Sequence, residues 1–133
     1  MADIIRRKPV TLHRNATVQE ACKLMHDERI GAVLVINEHG ALEGIFTGRD
    51  VVRLLADGKN AAQTRLHTVM THNPDHLPPH HNAIDALRVM HDGGFRHIPV
   101  VDHGRIVGIV SHGDFRSFEH AQHDEETGIW ERI

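Results

Sequence analysis

An internal duplication constrains this chain more than any other feature of its sequence. At an offset of 65 residues, the triplet Met25-His26-Asp27 recurs as Met90-His91-Asp92. After a one-residue deletion the offset is 64, so that His39-Gly40 recurs as His103-Gly104. Two copies are too few for a solenoid, and a unit of about 50 residues is marginally stable alone. We therefore expect two similar small units that pack on each other.

The duplication also divides the chain into segments. We predict an N-terminal segment 1–8, a first repeat 9–58, a linker 59–73, a second repeat 74–122 and an acidic C-terminal tail 123–133. The tail is expected to be largely solvated, although its apolar residues Ile129, Trp130 and Ile133 are candidates for docking on the folded part.

Each copy has the same predicted order of elements. In the first copy, Thr17 and Glu20 form a capping-box pattern that opens a helix over 17–28. A β-branched apolar run at 32–36, a glycine turn and a second run at 42–47 predict a β-hairpin. A short strand at 10–12 and a last helix from Gly48 complete a β-α-β-β-α unit. In the second copy the strands are expected at 75–77, 98–101 and 106–111, and the helices from Asn82 and His112.

Composition excludes several classes of protein. The formal net charge is −3, so the chain lacks the dominant basic surface of a general nucleic-acid binder. It has no apolar run of about 18 residues and no apolar signal core, so we expect neither a membrane span nor secretion. A single cysteine, Cys22, leaves no intramolecular disulfide and no paired-cysteine site. A cytoplasmic location is the expectation.

Two matched motifs carry the strongest chemical signal. They run from Gly44 to Asp50 and from Gly108 to Asp114, and each places a hydroxyl at a strand end three residues before a carboxylate. One interpretation is structural, with the hydroxyl and carboxylate capping the following helix. The other is functional, because a helix N-terminus favours a phosphate and a carboxylate accepts hydrogen bonds from vicinal ribose hydroxyls. The two interpretations are compatible.

Together, these motifs resemble those of a tandem pair of CBS domains, known as a Bateman module. The resemblance covers about residues 9–122 and includes the stretch Arg96–Asp102 and the opening Val69-Met70-Thr71 before Pro74. It implies an α+β fold in which two β-α-β-β-α units pack sheet to sheet with pseudo-twofold symmetry. It further implies two clefts that bind adenosine compounds, with AMP the first expectation and ADP, ATP, NAD or S-adenosylmethionine as alternatives.

The resemblance also implies a set of binding residues. Asp50 and Asp114 would hold ribose hydroxyls, and Thr47 and Ser111 would hold ribose or phosphate. Backbone groups on the first hairpin strand of each copy would read the adenine edge: Gly31, Ala32 and Val33, and His97, Ile98 and Pro99. The basic candidates for phosphate contact are Arg96, His97, Arg49 and Arg116. Because Gly31-Ala32 carries no charge where the second copy has Arg96-His97, the two clefts are expected to differ in phosphate affinity.

Alternative functions remain open at this point. The chain has 14 histidines, and His80-His81 with His72 and His76 is a candidate metal site, although a solvated linker is the better interpretation of 72–81. No catalytic motif is present, so we expect a regulatory rather than an enzymatic protein acting on an unidentified effector. A scaffold with vacant clefts is the other alternative. A homodimer is expected because the last helix of each copy has apolar residues on more than one face: Val51, Val52, Leu54 and Leu55, and Phe115 and Phe118.

Overall fold

The computed structural model describes residues 8–93 and 96–111, and the chain divides into two compact units. One unit is built mainly from Pro9–Pro74, and the other mainly from the chain that follows Asp75. Each contains helix and strand, which confirms the predicted α+β class. The predicted last helix of the second copy, with Phe115 and Phe118, lies outside the described residues, as do Asp114 and Arg116.

The first unit contains a four-stranded sheet and two α-helices. Its elements are β1 (Thr11–His13), α1 (Val18–Glu28), β2 (Ala32–Ile36), β3 (Leu42–Thr47), α2 (Gly48–Ala56), a 3₁₀ turn (Leu66–Thr68) and β4 (Thr71–His72). The strands lie in the order β1-β2-β3-β4; β1 is parallel to β2, and the other two pairs are antiparallel. The predicted β-α-β-β-α order is thus observed, with a fourth strand added by the segment predicted as a linker.

Helix α1 begins and ends where its sequence dictates. The Thr17 hydroxyl accepts a hydrogen bond from the Glu20 amide at 3.1 Å and donates one to the Glu20 carboxylate at 3.2 Å. This satisfies one of the amides that a helix start leaves without an intrahelical partner. At the other end, Arg29 adopts a left-handed conformation with φ of 57° and closes the helix. The buried stripe of α1 is Val18, Ala21 and Met25.

The core of the first unit extends beyond the predicted repeat. Strand β2 is buried over Ala32–Val35, as expected for an apolar strand covered by helices. The segment predicted as a linker contributes two buried side chains, Leu66 and Met70, to the same core. The buried members of this core are Val18, Ala21, Met25, Val33, Val35, Phe46, Leu54, Leu66 and Met70.

The second unit repeats part of this arrangement. It contains α3 (Ala83–Gly93), β5 (His97–Asp102) and β6 (Arg105–Ser111), with β5 and β6 paired. The predicted strand at 75–77 is reduced to one parallel bridge between Leu77 and Val100. Asn82 caps α3, since its Oδ1 accepts from the Asp85 amide at 2.8 Å. The buried core is Leu77, Ala86, Met90, Ile98, Val100 and Val110.

The one-residue difference between the copies lies in the hairpin turns. In the first copy, the Asn37 side chain accepts from the amides of His39 and Ala41 at 2.8 and 3.0 Å, and Gly40 has a φ of 78°. In the second, His103 and Gly104 both have positive φ, at 51° and 79°. Two successive positive φ values are those of a two-residue type I′ turn, which needs one residue fewer.

Candidate functional site

The open end of the first hairpin brings several predicted site residues together. Ala32 at the start of β2 lies opposite Thr47 at the end of β3. The chain then enters α2, and the Gly48 amide donates to the Gly31 carbonyl at 3.2 Å. Because β2 and β3 are antiparallel, β2 starts where β3 ends, and the main chain of 31–33 lies beside the N-terminus of α2 at this end of the two strands. The structure therefore places Gly31, Ala32, Val33 and Thr47 side by side.

The carboxylate of Asp50 lies at this end of the two strands and is held there by hydrogen bonds. Its Oδ2 accepts from the Thr47 amide at 2.9 Å and from the Thr47 hydroxyl at 3.3 Å. The residue is 6% exposed, which is unusual for an aspartate. The helix N-terminus and the two hydrogen bonds stabilise the charge at this depth. The capping interpretation of the motif is therefore observed, and it holds a carboxylate in a fixed position beside the open end of the hairpin.

A cation that the motif did not indicate completes this group. Arg53, one turn further along α2, lies with Nη1 3.6 Å from Asp50 Oδ1. The Arg53 side chain is 64% exposed, so this contact is screened by solvent and easily exchanged for another partner. The i, i+3 spacing of an acidic and a basic residue on one helix was the available signal for this pair. Oδ2 thus accepts both hydrogen bonds of the cap, whereas Oδ1 faces the solvent-exposed side chain of Arg53.

Arg49 occupies a different place from the other predicted residues. It lies in the first turn of α2 and is exposed. A basic side chain there stands at the helix end that already favours anions. Its position is compatible with a phosphate contact from solvent, and it takes no part in the cap formed by Thr47 and Asp50.

The open end of the hairpin in the second unit carries a different charge from that in the first. Arg96 and His97 are half-buried at the start of β5, and Ile98 and Pro99 behind them are buried. The Pro99 carbonyl accepts from the Leu77 amide at 2.9 Å, so that oxygen is already used in strand pairing. Ser111 is half-buried at the end of β6. Since β5 and β6 form one hairpin, the start of β5 and the end of β6 lie at the same end of it.

The histidines do not form a metal cluster in the described part of the chain. Across residues 8–93 and 96–111, no group of three or more His, Cys, Asp or Glu side chains is placed to hold a metal ion. His72, His76 and His80 are exposed, whereas His81 is buried with Nδ1 2.7 Å from the Pro78 carbonyl oxygen. The alternative considered from the sequence, a metal site formed by these four histidines, is therefore not observed among the described residues.

Cys22 shows no sign of a reactive site. It packs against the core of the first unit, and burial raises the pKa of its thiol. A raised pKa lowers the thiolate fraction and hence the nucleophilicity at neutral pH. Its surroundings are those of a small apolar residue.

The described helices are all too short, or too polar, to cross a bilayer. This concerns residues 8–93 and 96–111 alone.

Comparison with known proteins identifies the family from these two repeats. The family model described as "CBS domain" matches the chain twice, at residues 1–57 and 66–121. The chain belongs to the CBS-domain family. The two matches overlap the two copies seen in the sequence, and each begins eight residues before the predicted repeat, at residue 1 instead of 9 and at 66 instead of 74. Each CBS repeat contains one of the two hydroxyl–carboxylate motifs.

Curated relatives contain CBS domains in proteins of different lengths. The protein YhcV of Bacillus subtilis is 35% identical over 113 residues, which cover 84% of this chain and 79% of YhcV. Five CBS domain-containing proteins of Arabidopsis thaliana are 35–36% identical over 104 residues (77% of the chain), and these cover only 19% of each. The L-aspartate semialdehyde sulfurtransferase of Methanocaldococcus jannaschii is 34% identical over 114 residues, 84% of this chain and 21% of that protein. The chain thus spans about a fifth of the length of several relatives.

A solved structure has the same fold. The CBS domain pair of protein MJ0100, determined with 5′-methylthioadenosine and S-adenosyl-L-methionine, matches with a TM-score of 0.81. The match is 28% identical and covers 90% of this chain and 94% of that one. The fold of a CBS domain pair is therefore shown for this chain.

Proposed function

We propose that this chain is a regulatory module that binds an adenosine-containing ligand, AMP by preference, at the open ends of its CBS hairpins. One observation carries the proposal: Asp50 is buried at a helix N-terminus, with one carboxylate oxygen fixed by Thr47 and the other near the solvated cation Arg53. A carboxylate held in this way is positioned to accept hydrogen bonds from a ribose.

The ribose argument follows from the geometry of the cap. Vicinal hydroxyls are two donors that one carboxylate accepts at once, and a carboxylate offers about four lone-pair positions. The amide and the hydroxyl of Thr47 donate to Asp50 Oδ2 at 2.9 and 3.3 Å. Asp50 Oδ1 can accept from the ribose hydroxyls once Arg53 moves from its 3.6 Å contact. The exposed Arg53 is long and flexible, so that its displacement requires no change in the fold.

The base argument rests on main-chain groups next to the cap. Gly31 is exposed at the start of the hairpin, and Ala32 follows it opposite Thr47. Backbone N–H and C=O groups at a strand end can pair with the donor and acceptor edge of adenine. Since the Gly31 carbonyl already accepts from Gly48, the hydrogen bonds to the base come from its remaining lone pair and from neighbouring main chain.

The phosphate argument distinguishes the two repeats. The second has Arg96 and His97 where the first has Gly31 and Ala32, so a phosphate finds positive charge in the second repeat. We therefore propose that a ligand carrying a phosphate binds the second repeat more tightly than the first, and that the two affinities differ less for an uncharged nucleoside. Asp114 and Arg116, the remaining proposed contacts of that repeat, lie outside the described residues.

The relation to MJ0100 supports an adenosine ligand without naming it. That protein binds 5′-methylthioadenosine and S-adenosyl-L-methionine, two compounds that share adenosine with AMP. A purely regulatory role is likewise proposed: the sequence has no catalytic motif, although one relative is named as a sulfurtransferase. A cytoplasmic location and an effector protein that reads ligand occupancy complete the proposal.

The test is a thermal-shift panel with AMP, ADP, ATP, NAD, S-adenosylmethionine and adenosine. A ligand at 100 times its Kd stabilises the folded chain by about 2.7 kcal/mol, a shift that is readily measured. If no adenosine compound raises the melting temperature, ligand binding is refuted and the scaffold function stands instead.

Variants then locate the site. Asp50→Asn should weaken binding at the first repeat by about 1.5–3 kcal/mol, the loss of a charge-assisted hydrogen bond. The matched control is Asp57→Asn, which removes the same charge from the exposed C-cap of α2. Equal affinity of the two variants in calorimetry would remove Asp50 from the site.

Replacing Arg96 and His97 together by Ala should abolish the preference for AMP over adenosine, and a retained preference would place the phosphate elsewhere.

Self-association is a second proposed function, and it rests on α2. Val52 and Leu55 on this helix are 66% and 64% exposed, while Leu54 between them is buried. Two neighbouring exposed apolar side chains on one short helix favour a contact with a second copy of the chain. Light scattering should give the mass of a dimer for the full chain and of a monomer for Val52→Asp combined with Leu55→Asp. A monomeric wild-type chain would refute this assembly.

A further inference from the structure

The ion pair between Asp50 and Arg53 joins a buried group to an exposed one. Asp50 is 6% exposed, whereas the Arg53 side chain is 64% exposed. The distance from Arg53 Nη1 to Asp50 Oδ1, 3.6 Å, is longer than that of an N–H···O hydrogen bond, so the attraction is between charges alone. Within residues 8–93 and 96–111, no group accepts a hydrogen bond from the Arg53 guanidinium. Its N–H donors are therefore available to a ligand.

A second cation lies on the same face of α2. Arg49 and Arg53 are four residues apart, which brings their side chains to neighbouring turns of the helix. Both are exposed, and two like charges at this spacing repel each other. Asp50 supplies one negative charge, so these three side chains together leave one positive charge uncompensated. Arg49 is in the first turn of α2, where the helix dipole also favours an anion.

The two repeats carry their basic residues at different places. At the offset of 64, Asp50 recurs as Asp114, whereas the position of Arg53 holds a serine in the second repeat. The second repeat has its proposed phosphate contacts, Arg96 and His97, at the start of β5 instead. A phosphate in the first repeat would therefore find its positive charge on α2, next to the carboxylate proposed to bind the ribose.

We propose that Arg53 makes the first repeat selective for adenosine ligands that carry a phosphate, of which AMP is the simplest. Given the adenosine site proposed above, on which this inference rests, Arg53 is the cation that the ribose displaces. When the ribose hydroxyls donate to Asp50 Oδ1, Arg53 loses its partner and turns, together with Arg49, to the phosphate of the ligand.

The selectivity follows from the charges before and after binding. A phosphate replaces the carboxylate of Asp50 as the partner of Arg53, so the cation stays paired. Adenosine also displaces Arg53 but offers no anion in exchange, and its binding therefore loses an ion pair. Since Arg49 and Arg53 are exposed, whereas Arg96 and His97 are half-buried, a phosphate still binds the second repeat more tightly than the first.

The test is a nuclear magnetic resonance titration that reads the first repeat by itself. The amides of Thr47 and Gly48 lie beside Asp50, and their chemical shifts are followed with AMP and with adenosine. In Arg53→Ala, AMP should bind about threefold more weakly and adenosine about threefold more tightly, because each affinity changes by one exposed charge pair. The ratio of the AMP affinity to the adenosine affinity should thus fall by about tenfold.

Two further variants show whether the effect belongs to this side chain. Arg53→Lys keeps the charge but not the planar fork, and it should retain part of the preference for AMP. Lys59→Ala removes a positive charge from an exposed position shortly after α2 and should leave the ratio unchanged. Since Arg53 is exposed and alanine favours a helix, Arg53→Ala should have the far-UV circular dichroism of the wild type.

The results distinguish the role of Arg53 from the adenosine site itself. An unchanged ratio in Arg53→Ala, or equal weakening of both ligands, would refute the role of Arg53 and leave the adenosine site standing. A displaced Arg53 that paired with Asp57 at the end of α2 would also leave the ratio unchanged, and so would count against the proposal. If neither ligand moves the Thr47 and Gly48 amides of the wild type, the adenosine site of the first repeat is refuted together with the role of Arg53.

Discussion

Replacement of Gly44 by alanine tests the packing between β3 and the segment after α2. Gly44 is buried on β3, opposite Val35 on one side and His72 on the other. A Cβ at this position would overlap Met70, approaching its Cγ and Cε at 2.8 Å and its Sδ closer still. Because Met70 is itself buried, it has little room to move away.

The expected change in the free energy of unfolding is the difference between two opposing effects. Forcing an added carbon into a filled core costs about 1–3 kcal/mol. Alanine in a strand recovers about 0.5–1 kcal/mol over glycine through the lower entropy of the unfolded chain. We expect Gly44→Ala to lower the free energy of unfolding by about 1–2 kcal/mol. With a urea slope of about 2 kcal/mol per molar, the midpoint falls by about 0.5–1 M.

The matched control lies four residues along the chain. A Cβ built on Gly48, the first residue of α2, meets nothing within 4 Å. Gly48→Ala should therefore leave the midpoint unchanged or raise the free energy of unfolding by about 0.4–1 kcal/mol. Both variants are compared with the wild type by urea denaturation followed by far-UV circular dichroism.

A second background identifies the cause. If Met70 is the obstacle, Gly44→Ala should have little effect in a chain that already carries Met70→Ala, because the added carbon then enters space that the methionine has left. An undiminished effect in that background would show that Met70 is not responsible. A midpoint for Gly44→Ala at or above that of the wild type would refute the packing argument altogether.

Two further predictions follow from α1. Thr17→Ala should lower the free energy of unfolding by about 1 kcal/mol in the same urea assay, since the Glu20 amide loses its cap at 3.1 Å, and an unchanged midpoint would contradict the capping role. The raised pKa of Cys22 should make its alkylation at a pH of about 8.5 slower in the folded chain than in urea, and equal rates would contradict burial of the thiol. By the same shift, the Cys22 contribution to stability is unchanged below the pKa of the unfolded chain and decreases above it, because the unfolded chain then releases the proton first.

The parts of the fold that the sequence predicts are those with local signals. The first hairpin follows from an apolar run, a glycine turn and a second run, and β2 and β3 occupy 32–36 and 42–47 as predicted. Helix α1 follows from its cap and its apolar spacing. The contact between Thr47 and Asp50 was also accessible, because capping is a local interaction with a fixed spacing.

The parts that were missed depend on distant contacts. Strand β4 has two exposed residues, Thr71 and His72, and it forms only because β3 presents a partner edge. The packing of Leu66 and Met70 into the first unit had one signal, apolar residues within a polar stretch, which was attributed to a linker. The depth of Asp50 was likewise not evident, since burial is set by the whole unit rather than by the motif.

The short edges of the first unit's sheet have a consequence for aggregation. The two edge strands, β1 and β4, contain three and two residues, and they flank the uncharged central strand Ala32–Ile36 and its partner β3. A run of β-branched and aliphatic residues without charge is a template for intermolecular strand addition when its neighbours are removed. A chain cut before Thr71 would therefore expose part of the β3 edge and should form ordered aggregates at concentrations at which the intact chain stays dispersed.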